Sequence, residues 1–174
     1  MLITQQTALV ALWFLPFAIP IGIWVAWSDM ARMKIPNYAV LALVAVFAVV
    51  GIGLALAGVW SFETWAWRWV HLVVVLLIGF LANMIGAMGA GDAKFAAAMA
   101  PFVVRQDVLP FIYLLAAVVI LGFTLHRVAR AIPAVRGLAP HWESWTRKDF
   151  PMGLCLAGAL VIYLAAGAFW GVGA

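Results

Sequence analysis

The sequence predicts an all-α membrane protein with six transmembrane helices, and three observations carry that prediction. Hydrophobic residues make up 68% of the 174 and charged residues only 9%; a soluble domain has roughly half and about a quarter. A globule this small has too much surface for its volume to hide the excess, so lipid must solvate it. The ten Lys and Arg and the six Asp and Glu are also bunched, leaving residues 1–28, 35–62, 69–91, 95–104, 108–126 and 150–174 without charge. All of these intervals except 95–104 reach the length, about 20 residues, that a helix needs to cross a hydrocarbon core of about 30 Å.

In chain order the helices are expected at 6–28, 37–59, 66–87, 92–104, 107–129 and 151–172. The first begins without a basic n-region, and its apolar run exceeds a signal h-region, so it is expected to remain in the mature protein. Pro16 and Pro20 should kink it, which neighbouring helices in a membrane tolerate. Pro36 and Asn37 fit the start of the second helix, with proline fixing the entry and asparagine able to cap. Trp60, Trp65, Trp67 and Trp69 between the second and third helices read as an interfacial aromatic belt. The fourth helix is short, and it spans only by taking Asp92 and Lys94 into its first turn. Residues 130–150 form the one sizeable polar stretch and are expected as a surface loop within a single domain, 1–174.

Orientation follows from the basic residues. Arg32, Lys34, Lys94, Arg127, Arg130, Arg136, Arg147 and Lys148 fall on one side, and only Arg68 and Arg105 on the other. The first side is therefore expected in the cytosol, with both termini outside. These short-loop charges explain the net charge of +4 as topology determinants, so no nucleic-acid partner is expected. Cys155 is the one cysteine, which excludes an internal disulfide and a thiolate metal site. His71, His126 and His141 are scattered, and no metal or other cofactor is expected.

Chemistry concentrates at two aspartates. Asp29 ends the first helix and Asp92 opens the fourth, both on the cytosolic face. Ionisable groups beside lipid are costly and are functional candidates for that reason. Two carboxylates brought close cannot both ionise easily, so they share a proton near neutrality. The ionised member can take a proton from water while the neutral one donates to a carbonyl oxygen, as amide hydrolysis requires. Gly89 and Gly91 remove side chains beside Asp92, admitting a substrate backbone and unusual turn conformations. The run is neither a phosphate loop nor a dinucleotide fingerprint, because Asp92 follows Gly91 where a phosphate loop has lysine and Lys94 stands where the fingerprint has its third glycine. Lys94 either tunes the pair or marks the cytosolic side. Ser28 has no partner base for a serine triad.

These residues resemble the type IV prepilin peptidases, membrane proteases with a Gly-x-Gly-Asp motif. Asp29 stands six residues before Ile35-Pro36-Asn37, and the second aspartate lies in Gly89-Ala90-Gly91-Asp92-Ala93-Lys94. Phe150-Pro151-Met152-Gly153 looks like the family's proline-led last helix. The resemblance implies catalytic Asp29 and Asp92, and a cleft shaped by Gly89, Gly91, Lys94, Ile35, Pro36, Asn37 and Pro151. It further implies a bacterial inner-membrane enzyme with its site facing the cytosol, whose partners are the lipid bilayer and a prepilin transmembrane helix with a basic leader. The cysteine-bearing insertion of larger members is not found, so the chain is similar to the short, peptidase-only branch of tight-adherence (Flp-type) pili, and N-methylation is not expected. Rival readings are a small ion- or solute-translocating protein, which would place carboxylates at the midplane, and a non-catalytic scaffold of a secretion complex.

Overall fold

The computed structural model describes residues 4–173. Among these the chain is helical, with helices α1 (Ala8–Arg32), α2 (Asn37–Leu56), α3 (Phe62–Met84), α4 (Ala90–Met99), α5 (Val108–Ala131), α6 (Pro133–Leu138) and α7 (Met152–Trp170). Five segments are long and apolar enough to cross a membrane: α1, α2, α3, the stretch Arg105–Ala131 containing α5, and α7. At 1.5 Å per residue, the ten-residue α4 spans about 15 Å, half a hydrocarbon core.

The antiparallel pair α1 and α7 forms the centre, and small residues let it close. A Cβ at Gly22 would lie 3.3 Å from Val161 and 3.6 Å from Ala157, and one at Gly167 would lie 3.0 Å from Ala11. Backbones approach where side chains are small, which is the usual device for helices in lipid. α2 and α4 close one side, and a cluster of aromatic rings fills the space between them and α1. Phe14 meets Phe102 edge-on at 4.8 Å and Phe47 meets Trp69 at 5.1 Å. α3 and α5 lie at the periphery, where α3 buries only Arg68 and Gly79, and α5 only Phe111 and His126. Much of their remaining apolar surface faces outward, as lipid-solvated helices require.

Several boundaries differ from the sequence expectation, each for a local reason. α1 runs four residues further, through Asp29 to Arg32, and ends where Met33 adopts the left-handed conformation (φ 50°). It passes without interruption through Pro16 and Pro20. α3 starts early because Ser61 caps it, its hydroxyl accepting from the Thr64 N–H at 3.0 Å. α4 stops at Met99, short of 104, because Pro101 cannot continue the i→i−4 ladder; a 3₁₀ turn, Ala100–Phe102, follows instead. Pro36 rather than Asn37 occupies the cap position of α2, and Asn37 makes no capping bond. Of the expected tryptophan belt, Trp67 is exposed, but Trp60, Trp65 and Trp69 pack against the core. The 130–150 segment carries α6 and the 3₁₀ turn Glu143–Trp145, and it buries Ser144 and Trp145 against the rest of the fold.

A buried polar network fastens the end of the bundle that holds both chain termini. The Asp107 carboxylate accepts from the Thr4 hydroxyl at 2.5 Å, the Gln5 N–H at 3.0 Å and the Tyr163 hydroxyl at 2.8 Å. Tyr163 in turn accepts from the Val104 N–H at 3.1 Å. Arg68 donates to the Pro101 and Phe102 carbonyls at 3.1 and 3.4 Å while stacking on Trp60 at 4.4 Å. The network joins the chain start, α3, α5 and α7. Replacing Asp107 by Ala leaves three donors unpaired, two of them buried, and is expected to cost about 3 kcal/mol, whereas Tyr163→Phe should cost about 1 kcal/mol. Thermal unfolding in detergent, followed by tryptophan fluorescence, checks that order.

Candidate active site

At the other end of α1, Asp29 reaches across to α7. Its carboxylate accepts from the Gly153 N–H at 2.6 Å and from the Leu154 N–H. These are first-turn amides of α7, which have no partner within their own helix. Pro151 occupies the cap position of α7 and offers no side-chain acceptor, so Asp29 caps α7 from another helix. The helix N-terminus favours negative charge there.

Gly153 is required by the same contact. A Cβ on it would lie 2.9 Å from Asp29 Oδ2 and 2.9 Å from Ile35 Cδ1. Ile35 is the hinge of the arrangement, because it also sits where a Gly91 side chain would begin, 3.4 Å from that Cβ. The turn between α1 and α2 thus wedges Ile35 between α4 and α7. Ser28 fixes this turn, its hydroxyl donating to the Lys34 carbonyl at 2.7 Å and accepting from Arg32 at 3.2 Å.

Asp92 is the third residue of α4, with Gly89 at the cap position. Its carboxylate accepts from the Gly89 N–H, a side chain reaching back over its own helix start. A Cβ at Gly89 would lie 2.6 Å from Asp92 Oδ2, so glycine here makes room for the carboxylate. Neither motif glycine has the positive φ anticipated for the turn; that conformation belongs to Gly86 (φ +73°). A Cβ at Gly91 would lie in ordinary contact with Ile35, at 3.4 Å.

Asp29 and Asp92 face one cleft of about 460 Å³, lined also by Met33, residues 86–89, Arg147, Asp149, Phe150 and Met152. Asp92 lies outside the five spans; burial, and after it the facing Asp29 carboxylate, push it up to about 6, against the opposing pull of the Gly89 N–H. Of the other residues singled out in the sequence, Lys94 donates to the Asn37 side chain at 3.4 Å, joining α4 to α2 beside the pair. Pro36 and Pro151 begin α2 and α7 on either side of the wedge. Arg147, Asp149 and Met152 were not singled out. They are distant in sequence from both motifs, and only the fold-back of residues 141–150 brings them into the cleft. Among the described residues no three His, Cys, Asp or Glu side chains gather to hold a metal.

The profile of the type IV leader peptidase family matches residues 16–125, more than half of the chain. The chain belongs to that family. Membership makes this multi-pass helical protein a membrane protease. Searches of curated proteins and of solved structures returned no match. The leader-peptidase match contains both aspartates and the Ile35 wedge, and ends before α7, whose first turn holds Asp29.

The two close-fitting glycines should respond differently to alanine. Gly153→Ala drives a methyl into Asp29 and Ile35 together and is expected to lower stability by about 2 kcal/mol along with activity. Gly89→Ala meets only a movable carboxylate, so it should displace Asp92 and lower activity with a stability change below about 1 kcal/mol. Parallel melting curves and cleavage assays on the two variants check the contrast.

Proposed function

We propose that this protein is an aspartyl endopeptidase that removes the basic leader from prepilin-like substrates at the cytosolic face of a bacterial inner membrane. The observation that carries the reading is the convergence of Asp29 and Asp92, from two helix ends, on one cleft. Two features support it: each carboxylate accepts backbone N–H groups at a helix start, and Asp92 is raised toward neutrality by burial and by its partner. The excess of Lys and Arg at this end of the bundle supports a cytosolic site and termini outside.

The chemistry follows from a pair sharing one proton. The ionised carboxylate removes a proton from a water held between the two. The hydroxide so formed adds to the scissile carbonyl carbon as the protonated carboxyl donates to its oxygen. Collapse of the tetrahedral adduct expels the amine, which takes up a proton from the pair. The leader leaves with a new C-terminal carboxylate, and the pilin helix keeps a free N-terminus. A substrate transmembrane helix docks from the side, beside the short α4. The four-residue link Met33–Pro36 between α1 and α2 suits the peptidase-only, Flp-type branch. Metal and cofactor have no part in this scheme.

Asp29→Asn and Asp92→Asn are each expected to abolish maturation of a co-expressed pilin, read as a persistent precursor band. Asparagine at position 29 retains an oxygen acceptor for the α7 amides, so that variant should stay folded, whereas Asp29→Ala should also lose about 1 kcal/mol of capping stability. Mature pilin from either Asn variant would sink the reading. The pair also sets a pH limit. Asp92 is protonated below about 6 and ionised above, so loss of the shared proton should lower kcat as pH rises past that region. The limb should lie well above the ordinary carboxylate value of about 4, and it belongs to the pair as a unit.

A further inference from the structure

Arg147, Asp149 and Phe150 line the cleft together with the two aspartates, and the main chain of the segment 143–150 that carries them is held in three ways. Arg130 donates to the Arg147 carbonyl at 2.9 Å, and Arg127 donates to the Lys148 carbonyl at 3.1 Å. Trp145 stacks on His126 at 5.3 Å and donates from its indole N–H to the Ala139 carbonyl at 2.9 Å. On this fixed frame one ion-pair group is loose. The Arg147 guanidinium lies 3.7 Å from Glu143 and 3.6 Å from Asp149, and all three side chains are half or more exposed. Contacts of that length between exposed groups are weak and exchangeable.

Charge gives the group a direction. The surrounding end of the bundle carries Arg32, Lys34, Lys94, Arg127, Arg130 and Lys148, which repel a cationic segment. The cleft itself holds Asp29, Asp92 and Asp149, and Arg147 is the one cation among its described lining residues. Arg147 therefore stands where an incoming cation would be neutralised.

We propose that Arg147 is a resident stand-in for a substrate cation, and that Glu143 and Asp149 are the specificity-determining residues that receive a leader Lys or Arg when it displaces Arg147. This rests on the peptidase reading, and it deepens it by assigning the residues that select a basic leader. Exchange breaks one pair of ion contacts as it forms another, so binding costs little desolvation, while a neutral leader gains nothing by displacing Arg147.

The test uses the full-length protein in detergent at low ionic strength and two prepilin-like peptides. One has a leader with two lysines, and the other has both lysines replaced by glutamine. Asp149→Asn and Glu143→Gln should each raise KM for the lysine peptide about three- to five-fold, with little change for the glutamine peptide. Arg147→Gln should act in the opposite sense and lower KM for the lysine peptide, a gain that a misfolded protein does not produce. Asp149→Lys should reverse the preference toward a leader with two glutamates. Equal KM values for both peptides across these variants, with wild-type cleavage intact, would overturn the inference and leave the peptidase reading standing. Failure of the wild-type protein to cut either peptide would overturn both.

Discussion

The hydrogen bond from the Gly153 amide to the Asp29 carboxylate, at 2.6 Å, is the contact on which the rest of this site depends. It does two jobs at one atom. Structurally, it completes the first turn of α7, whose proline cap has no acceptor to give. Chemically, it aims an α1 side chain into the cleft with little freedom to turn away. A carboxylate meant to meet a second one repels it, and something must hold the two in place against that repulsion. Here backbone amides do so at both positions, from α7 for Asp29 and from the start of α4 for Asp92. Amides at helix starts suit the task because they are fixed and lack partners of their own.

The steric pattern around the pair follows from this contact. Once Asp29 is drawn onto α7, Gly153 can carry no side chain, and Ile35 fills the space left beside it. Ile35 also packs beside Gly91 on the far side, where a Cβ would lie 3.4 Å from it, and so brings the start of α4 against the same turn. Glycine, isoleucine and glycine from three separate stretches act as one spacer. The network around Asp107 fixes the opposite end of the same helices. With α1 and α7 pinned at both ends, their sliding past each other, which would misalign the carboxylates, is opposed along the whole length of the pair.

Much of this was legible in the sequence. Charge-free intervals marked the long helices because lipid permits little else, and the two motifs marked Asp29, Gly89 and Asp92, which line one cleft. The reasons for those residues were less legible. Gly91 lies against Ile35, and a contact between residues 56 positions apart leaves no local sign. Arg68 read only as a topology determinant; its burial, and that of Asp107, depends on Gln6, Tyr163 and the Pro101 carbonyl, which the chain brings together only when folded. Pro101 was the one missed signal that sequence could have supplied, since proline there stops α4 by itself.

The shortness of α4 carries a final consequence. A helix of full length would continue past Met99, where Pro101 stops it. Ending at Met99 instead lets the chain turn twice within the protein, through Ala100–Phe102 and Arg105–Asp107. The irregular backbone is sheltered rather than exposed to lipid: Arg68 takes up the Pro101 and Phe102 carbonyls, and Tyr163 the Val104 amide. Non-helical backbone at membrane depth is tolerated only under such cover. The distant polar network therefore covers the irregular backbone that Pro101 imposes after α4. Loosening Asp107 should free Tyr163 and uncover the Val104 amide, at the end of the bundle remote from the cleft.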